Sequence, residues 1–338
     1  MSLAMQLLQR LAAARAAERG KPVFVSGAEL AAEFAVTRSA IWKASSALRL
    51  LGTGIEAVTH RGYRLALPSS PLDAAGVSAL LAPATRAALR EGRCAAQMPS
   101  TNSALLQQGA PPPGQFDFLT AEYQSAGRGR RGRSWLAPPG GAICLSWSWC
   151  FDAMAAQLGA LSLATGIAAL RALASLGITG VQLKWPNDLV TPRGKLGGIL
   201  IEMRSEAAGP VHVVVGLGLN VALGQALRER IDAVGNAPAD LADLAPGALP
   251  PPRNALVAAL LDQGVAMLGS FAQTGFAPLL AEYQAADALA GRAVRVEGGH
   301  GPAAGIARGV DTDGALLVEH GGRFHRIMAG EVSIRADP

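Results

Sequence analysis

Three glycines and three arginines interleave in Gly127-Arg-Gly-Arg-Arg-Gly132. Glycine lets a backbone approach an anion closely, and a guanidinium can neutralise a phosphate through a bidentate fork. The run satisfies the G-x-G-x-x-G expression of dinucleotide folds, but that fingerprint must open a helix. Here it continues into Arg133-Ser-Trp-Leu-Ala-Pro-Pro-Gly-Gly141, which cannot be one. A mobile phosphate-binding loop is expected instead, with Trp135 beside it as an indole on which a purine can stack. The second stretch is Lys184-Trp-Pro-Asn-Asp188, followed by Lys195. Alternation sets Lys184 opposite Val181, Leu183 and Trp185, and Pro186 ends the strand with Asn187 and Asp188 at its tip. With Lys195 opening the next antiparallel strand, hairpin geometry brings Asp188 and Lys195 together. Such a lysine can hold a carboxylate and a phosphoryl oxygen at once, and the aspartate can hold Mg2+ on a nucleotide. A basic surface loop and an ordinary ion pair are the competing readings.

Other chemistries are excluded. The chain contains no G-x-x-x-x-G-K-[ST], H-E-x-x-H or G-x-S-x-G motif, and its five histidines show no metal-ligand spacing. Cys94, Cys144 and Cys150 form no C-x-x-C pair, so a disulfide scaffold or zinc ribbon is not expected and a reducing cytoplasm is. Covalent catalysis has no candidate, which leaves positioning and charge neutralisation. Only four of the 30 basic residues are lysines, and two of those four are Lys184 and Lys195. Arginine does not replace a compact point charge, so the choice of lysine there is informative.

These residues need elements to hold them. A chain of 338 residues, half apolar and 16% charged, is expected to fold as two or three domains. Residues 1–67 hold nine Lys and Arg against four Asp and Glu, whereas the remainder holds 21 of each. A basic module on a neutral body points to a polyanion partner for the module. Within it, a helix over 3–17, a capping box at Ser26–Glu29, a helix over 28–34 and another from 37 to 51 give a helix-turn-helix. Short alternating runs around His60-Arg61-Gly62 add a wing. A linker is expected over 68–75. Beyond it come a helix over 76–90, strands over 118–123, 143–149, 181–185, 195–203 and 211–221, and helices near 154–176, 225–234, 253–270 and 276–287. Residues 289–338 read as a small β-barrel. The uncharged stretch between Asp152 and Arg171 is rich in Ala and Gly, so it is expected as a buried helix and not a membrane span.

Taken together, the stretches resemble the bifunctional biotin–protein ligases that double as biotin operon repressors. The resemblance rests on Ser100-Thr-Asn102, Glu122-Tyr-Gln124, Gly127–Gly132 with Trp135, Lys184–Asp188, Lys195–Glu202, Gly216-Leu-Gly-Leu-Asn220, Asp313–Leu317 and Gly330-Glu331. Their order and spacing agree over nearly the whole chain. The implied fold class is α+β: an N-terminal winged helix-turn-helix (1–67), a central mixed α/β catalytic domain of the biotin/lipoate ligase type (76–288) and a C-terminal SH3-like β-barrel (289–338). The implied activity uses Mg·ATP to convert biotin into biotinyl-5′-adenylate, then passes biotin to a lysine of the biotin carboxyl carrier protein of acetyl-CoA carboxylase. By position, Ser100, Thr101, Asn102, Gln124, Arg128, Gly129, Arg130 and Lys195 are implied to bind biotin. Trp135, Lys184, Asn187, Asp188 and Asn220 fall to ATP and the adenylate. Lys195, Arg130 and Asp188 are the implied catalytic set, with Asp188 the candidate Mg2+ ligand.

The resemblance also implies operator DNA as a partner and a homodimer favoured by biotinyl-5′-adenylate. Arg38, Ser39, Lys43 and Arg49 are the candidate DNA contacts; they suffice for phosphates and leave few groups for base readout. Two other functions compete. One is a ligand-sensing winged-helix repressor without catalysis, and the other a lipoate or octanoyl ligase of the same fold.

Overall fold

The computed structural model describes residues 2–18, 22–66, 70–152, 158–205, 209–232, 237–244, 249–297, 304–328 and 333–336. Gly330-Glu331 lies outside them.

The N-terminal module contains α1 (Leu3–Ala16), α2 (Gly27–Glu33), α3 (Arg38–Leu50) and the hairpin β1 (Ile55–Val58) and β2 (Gly62–Leu65). This is the expected winged helix-turn-helix. Leu7, Leu8, Leu11, Leu30, Ile41 and Leu48 form its core. Ser26 caps α2 by accepting from Glu29 N at 3.0 Å. The expected capping box is only half made, because the Glu29 carboxylate turns to Arg10 Nη2 at 2.9 Å.

The central body follows with α4 (Ala74–Leu80), α5 (Pro83–Ala88), β3 (Leu89–Ala95), α6 (Thr101–Gln108), β4 (Phe116–Ala121), β5 (Ala142–Phe151) and α7 (Leu161–Ser175). Then come β6 (Gln182–Lys184), β7 (Asp188–Thr191), β8 (Gly194–Ser205), β9 (Val211–Asn220), α8 (Gln225–Asp232), α9 (Arg253–Thr274) and α10 (Leu280–Ala286). Seven strands form one mixed sheet in the order β3-β4-β5-β9-β8-β7-β6, parallel only between β3 and β4. The odd-numbered side chains of β5, from Ile143 to Phe151, pack on the face covered by α7 and α9. The stretch Leu158–Ser175 that ends in α7, and α9, are each long and apolar enough to cross a bilayer, and both are core elements here. The opposite face carries α6, and the alternation of β5 hands Cys144, Ser146 and Ser148 to that side.

Three expectations need correction. The helix over 76–90 is two short helices and a strand, because Pro83 starts a new helix and β3 follows at once. The strand at 181–185 is shorter and turns directly into β7, so Asp188 pairs with Lys184 instead of lying beyond the strand tip. The linker at 68–75 is already part of the body from Ser70 onward, where Arg253 donates Nε to Ser70 O at 2.8 Å and α4 begins at Ala74.

The C-terminal domain is β10 (Ala293–Glu297), β11 (Ala304–Val310), β12 (Leu316–His320), β13 (Arg323–Ile327) and β14 (Ser333–Ala336). They form a five-stranded antiparallel sheet in the order β13-β12-β11-β10-β14. Gly314 O accepts from Trp185 Nε1 at 3.0 Å, which ties this domain to the turn carrying Lys184 and Asp188.

Candidate functional site

On the α6 face a cavity of about 480 Å³ collects side chains from the sheet, from α6 and from the glycine-arginine loop. Its lining includes Ser100, Thr101, Asn102, Gln124, Arg128, Gly129, Arg130, Trp135, Lys184, Asn187, Asp188, Lys195 and Asn220, so every candidate ligand residue reaches one site. The floor is built from the α6 N-terminus. Ser100 is the cap, and Thr101 donates both N–H and Oγ1–H to Gln124 Oε1, at 2.8 and 3.1 Å. Ser146 Oγ lies 2.6 Å from Thr101 Oγ1 and 2.5 Å from Asn102 Oδ1. Asn102 Nδ2 donates to Leu200 O at 3.1 Å and Glu202 Oε2 at 2.9 Å. The Asn102 amide is therefore engaged within the protein, and it shapes the floor more than it offers donors to a ligand. Gly216 makes this possible, since a Cβ there would sit 2.3 Å from Asn102 Oδ1.

The loop folds back on itself above this floor. Gly129 N donates to Arg133 O at 2.7 Å and Trp135 N to Gly127 O at 2.9 Å, around a 3-10 turn at Arg130–Gly132. Arg131 and Gly132 take φ of 55° and 70°, which only the glycine adopts freely. Arg128 Nη2 donates to Ser103 Oγ and to Glu202 Oε2, both at 2.8 Å. Burial, and then repulsion from Arg131, push the Arg130 guanidinium below its ordinary value; the charge of a bound anion would oppose that shift. Trp135 lies flat against the sheet where Gly218 lacks a side chain, since a Cβ would be 2.4 Å from the indole.

At the other end Lys195 Nζ donates to Asp188 Oδ1 at 2.6 Å and lies 6.0 Å from the centroid of Trp135. Asp188 pairs with Gly198 in the β7–β8 ladder, and Gly198 leaves the two side chains room. Asn187 Nδ2 donates to Ile199 O at 2.7 Å, so it pins this turn to β8. Asn220 Nδ2 donates to Ala239 O at 3.0 Å; its Oδ1 is buried without a partner among the described residues. Six cations and a single carboxylate line the cavity: Arg128, Arg130, Arg131, Arg133, Lys184 and Lys195 against Asp188. That imbalance suits a ligand bearing several negative charges.

Some residues that build or support the site were given no role from the sequence. Ser146 hides in a strand dominated by its aromatic face. Glu202 carried a signal, as the one acid in the apolar run Leu196–Met203. Glu122 forms a buried bidentate pair with Arg253, at 2.7 and 2.9 Å, and accepts from Leu72 N at 3.1 Å. Removing one partner of such a pair costs about 3–5 kcal/mol. Tyr123, next in sequence, packs against the core of the N-terminal module. In that module Arg38, Ser39 and Lys43 are exposed on α3 beside Trp42, which is 59% exposed. Arg49, by contrast, donates Nε to Ile55 O at 2.9 Å and ties α3 to the wing.

Comparisons with known proteins agree with this geometry. The Biotin/lipoate A/B protein ligase family model matches residues 95–220, the Biotin protein ligase C terminal domain residues 290–335, and an HTH domain residues 8–64. The chain is 35% identical over 314 residues to the bifunctional ligase/repressor BirA of Salmonella typhimurium, covering 93% of this chain and 94% of the relative. It is 38% identical over 247 residues to the biotin–[acetyl-CoA-carboxylase] ligase of Mycobacterium tuberculosis, covering 70% of this chain and 86% of that one. In fold it is similar to the biotin protein ligase of Aquifex aeolicus solved with biotin and ATP, with a TM-score of 0.62 at 24% identity, covering 73% of this chain and all of that one. With a helix-turn-helix, a ligase body and a C-terminal β domain in the same order, the chain belongs to the family of bifunctional biotin protein ligase/repressors.

Proposed function

We propose that the protein joins biotin to the biotin carboxyl carrier protein in two steps, both in the cavity under the arginine loop. In the first, a biotin carboxylate oxygen attacks the α-phosphorus of ATP, the bond to the β-phosphate bridging oxygen breaks, and pyrophosphate leaves. In the second, a carrier lysine amine attacks the acyl carbon, AMP leaves and the amine loses a proton. Ser100, Thr101, Asn102, Gln124 and Ser146 form the polar floor that receives the uncharged head of biotin. Lys195 neutralises charge between carboxylate and α-phosphate, and Arg130 closes over the same oxygens. Trp135 takes the adenine.

Mg2+ fits as an ion carried in by the nucleotide. No cluster of three metal-ligating side chains occurs among the described residues, and Asp188 Oδ1 already accepts from Lys195. Mg2+ commonly keeps its waters and uses one or two carboxylates plus substrate phosphates. When bound it would screen phosphate charge, with Asp188 as its protein ligand.

The exposed face of α3 and the wing suit duplex DNA, and α3 would read its major groove. A dimer favoured by the adenylate would set two such helices at paired half-sites. The three cysteines are free, in keeping with a cytoplasmic enzyme.

The observation that carries this reading is Lys195, held by Asp188 within 6.0 Å of Trp135 in a cavity lined by six cations. The test is pyrophosphate release with biotin and ATP, followed by label transfer to a carrier domain. Release with lipoate but not biotin would move the substrate to lipoate, and no release with either would leave a ligand-sensing repressor.

A further inference from the structure

The cation excess of the cavity is not uniform along its length. At the floor, Glu202 Oε2 accepts from Arg128 Nη2 at 2.8 Å and from Asn102 Nδ2 at 2.9 Å. One carboxylate oxygen thus joins the loop to α6. Through Asn102 it also reaches Ser146, whose hydroxyl lies between Asn102 Oδ1 and Thr101 Oγ1. Arg128 donates in addition to Ser103 on α6, so the loop is anchored to that helix directly and also through Glu202 of β8. Arg128 is about half exposed, and an ion pair so exposed adds little to global stability. Its consequence is local: it neutralises Arg128 beside the floor and holds a glycine-rich loop that is costly to order.

We propose that Glu202 is a positioning residue which keeps the floor end of the cavity electrically neutral and latches the loop over it. An uncharged head group then enters the floor without meeting a bare guanidinium. The carboxylate and phosphates of the same ligand go to the far end, where Lys195 stands paired with Asp188. This rests on the biotin ligase reading, since biotin is a ligand with a neutral urea at one end and a carboxylate at the other.

The variant Glu202→Gln keeps the shape of the side chain and removes its charge. Losing a charged hydrogen bond of this kind weakens a contact by roughly tenfold. The expected result is a KM for biotin raised about tenfold in pyrophosphate release, with the rate at saturating biotin within about threefold of wild type. In an Arg128→Ala background the same change should add less than about twofold, because the two residues act as one latch. A thermal melt close to wild type confirms that the variant is folded. An unchanged KM, a loss confined to the saturated rate, or full additivity with Arg128→Ala would each overturn the proposal. If the wild-type protein releases no pyrophosphate with biotin and ATP, the ligase reading fails instead, and that control separates the two.

Discussion

Lys195 is held in place by more than its ion pair. Its backbone N–H donates to Ala237 O at 2.8 Å and its carbonyl accepts from Ala239 N at 2.9 Å, so the segment after α8 braces the residue from outside the sheet. The ammonium is thereby fixed on a rigid strand, from which it would neutralise transition-state charge without reorganisation. Replacing Lys195 by Ala is expected to slow adenylate formation by at least ~10²-fold, with biotin binding reduced far less. Single-turnover pyrophosphate release and equilibrium biotin binding, measured on one preparation, separate the two effects. Near-normal release would remove Lys195 from the chemistry. The pairing with Asp188 was legible from spacing alone, because the tight turn between Thr191 and Gly194 admits few registers. The inward role of Asn102 was not: which way an amide faces depends on Gly216 of β9, distant in the chain, and no local pattern records that neighbour.

The strands show the same division between local and distant causes. Strand β5 was legible because its odd positions are uniformly large and apolar, and β9 because of its run of valines. Strand β3 was not, since Leu89–Ala95 is an edge strand with Arg90, Glu91 and Arg93 exposed, and an exposed edge carries no alternation. The seat of Trp135 on β9 gives a test at this scale. A methyl group introduced by Gly218→Ala would meet the indole at 2.4 Å and drive it off the sheet. The KM for ATP is expected to rise about tenfold or more, the scale of one lost base–aromatic stack, while biotin binding to the floor changes little. An ATP dependence like that of the wild type would show that Trp135 is not the nucleotide platform.

The whole molecule links its ends through this site. Thr53 Oγ1 donates to Pro139 O and Arg230 Nη1 to Leu50 O, both at 3.1 Å, so the N-terminal module rests on the body beside the loop. Glu122, Tyr123 and Gln124 are consecutive: the first pairs with Arg253, the second packs into the module and the third lies in the floor. Deleting residues 1–67 is therefore expected to abolish DNA binding and also to raise the KM for biotin, because Tyr123 loses its packing. A truncated enzyme with an unaltered KM would show that the contact is passive. Ligand reaches DNA affinity only through an element with two states, and association of two copies is the one expected here. Sedimentation should show a largely monomeric free protein at low concentration and a dimer with biotin and ATP. An unchanged mass where DNA binding does change would exclude that route.

The placement of the tryptophans equips the protein with its own optical probes. Trp147 and Trp149 are buried in the core and Trp185 is buried at the cavity wall, whereas Trp42 is exposed on α3 and Trp135 stands in the cavity. A purine stacked on Trp135 quenches one signal, and a duplex laid against α3 shields the other from aqueous quenchers. Ligand occupancy and DNA occupancy are thus separable by fluorescence in a single unlabelled sample, with Trp42→Phe and Trp135→Phe assigning each change to its indole.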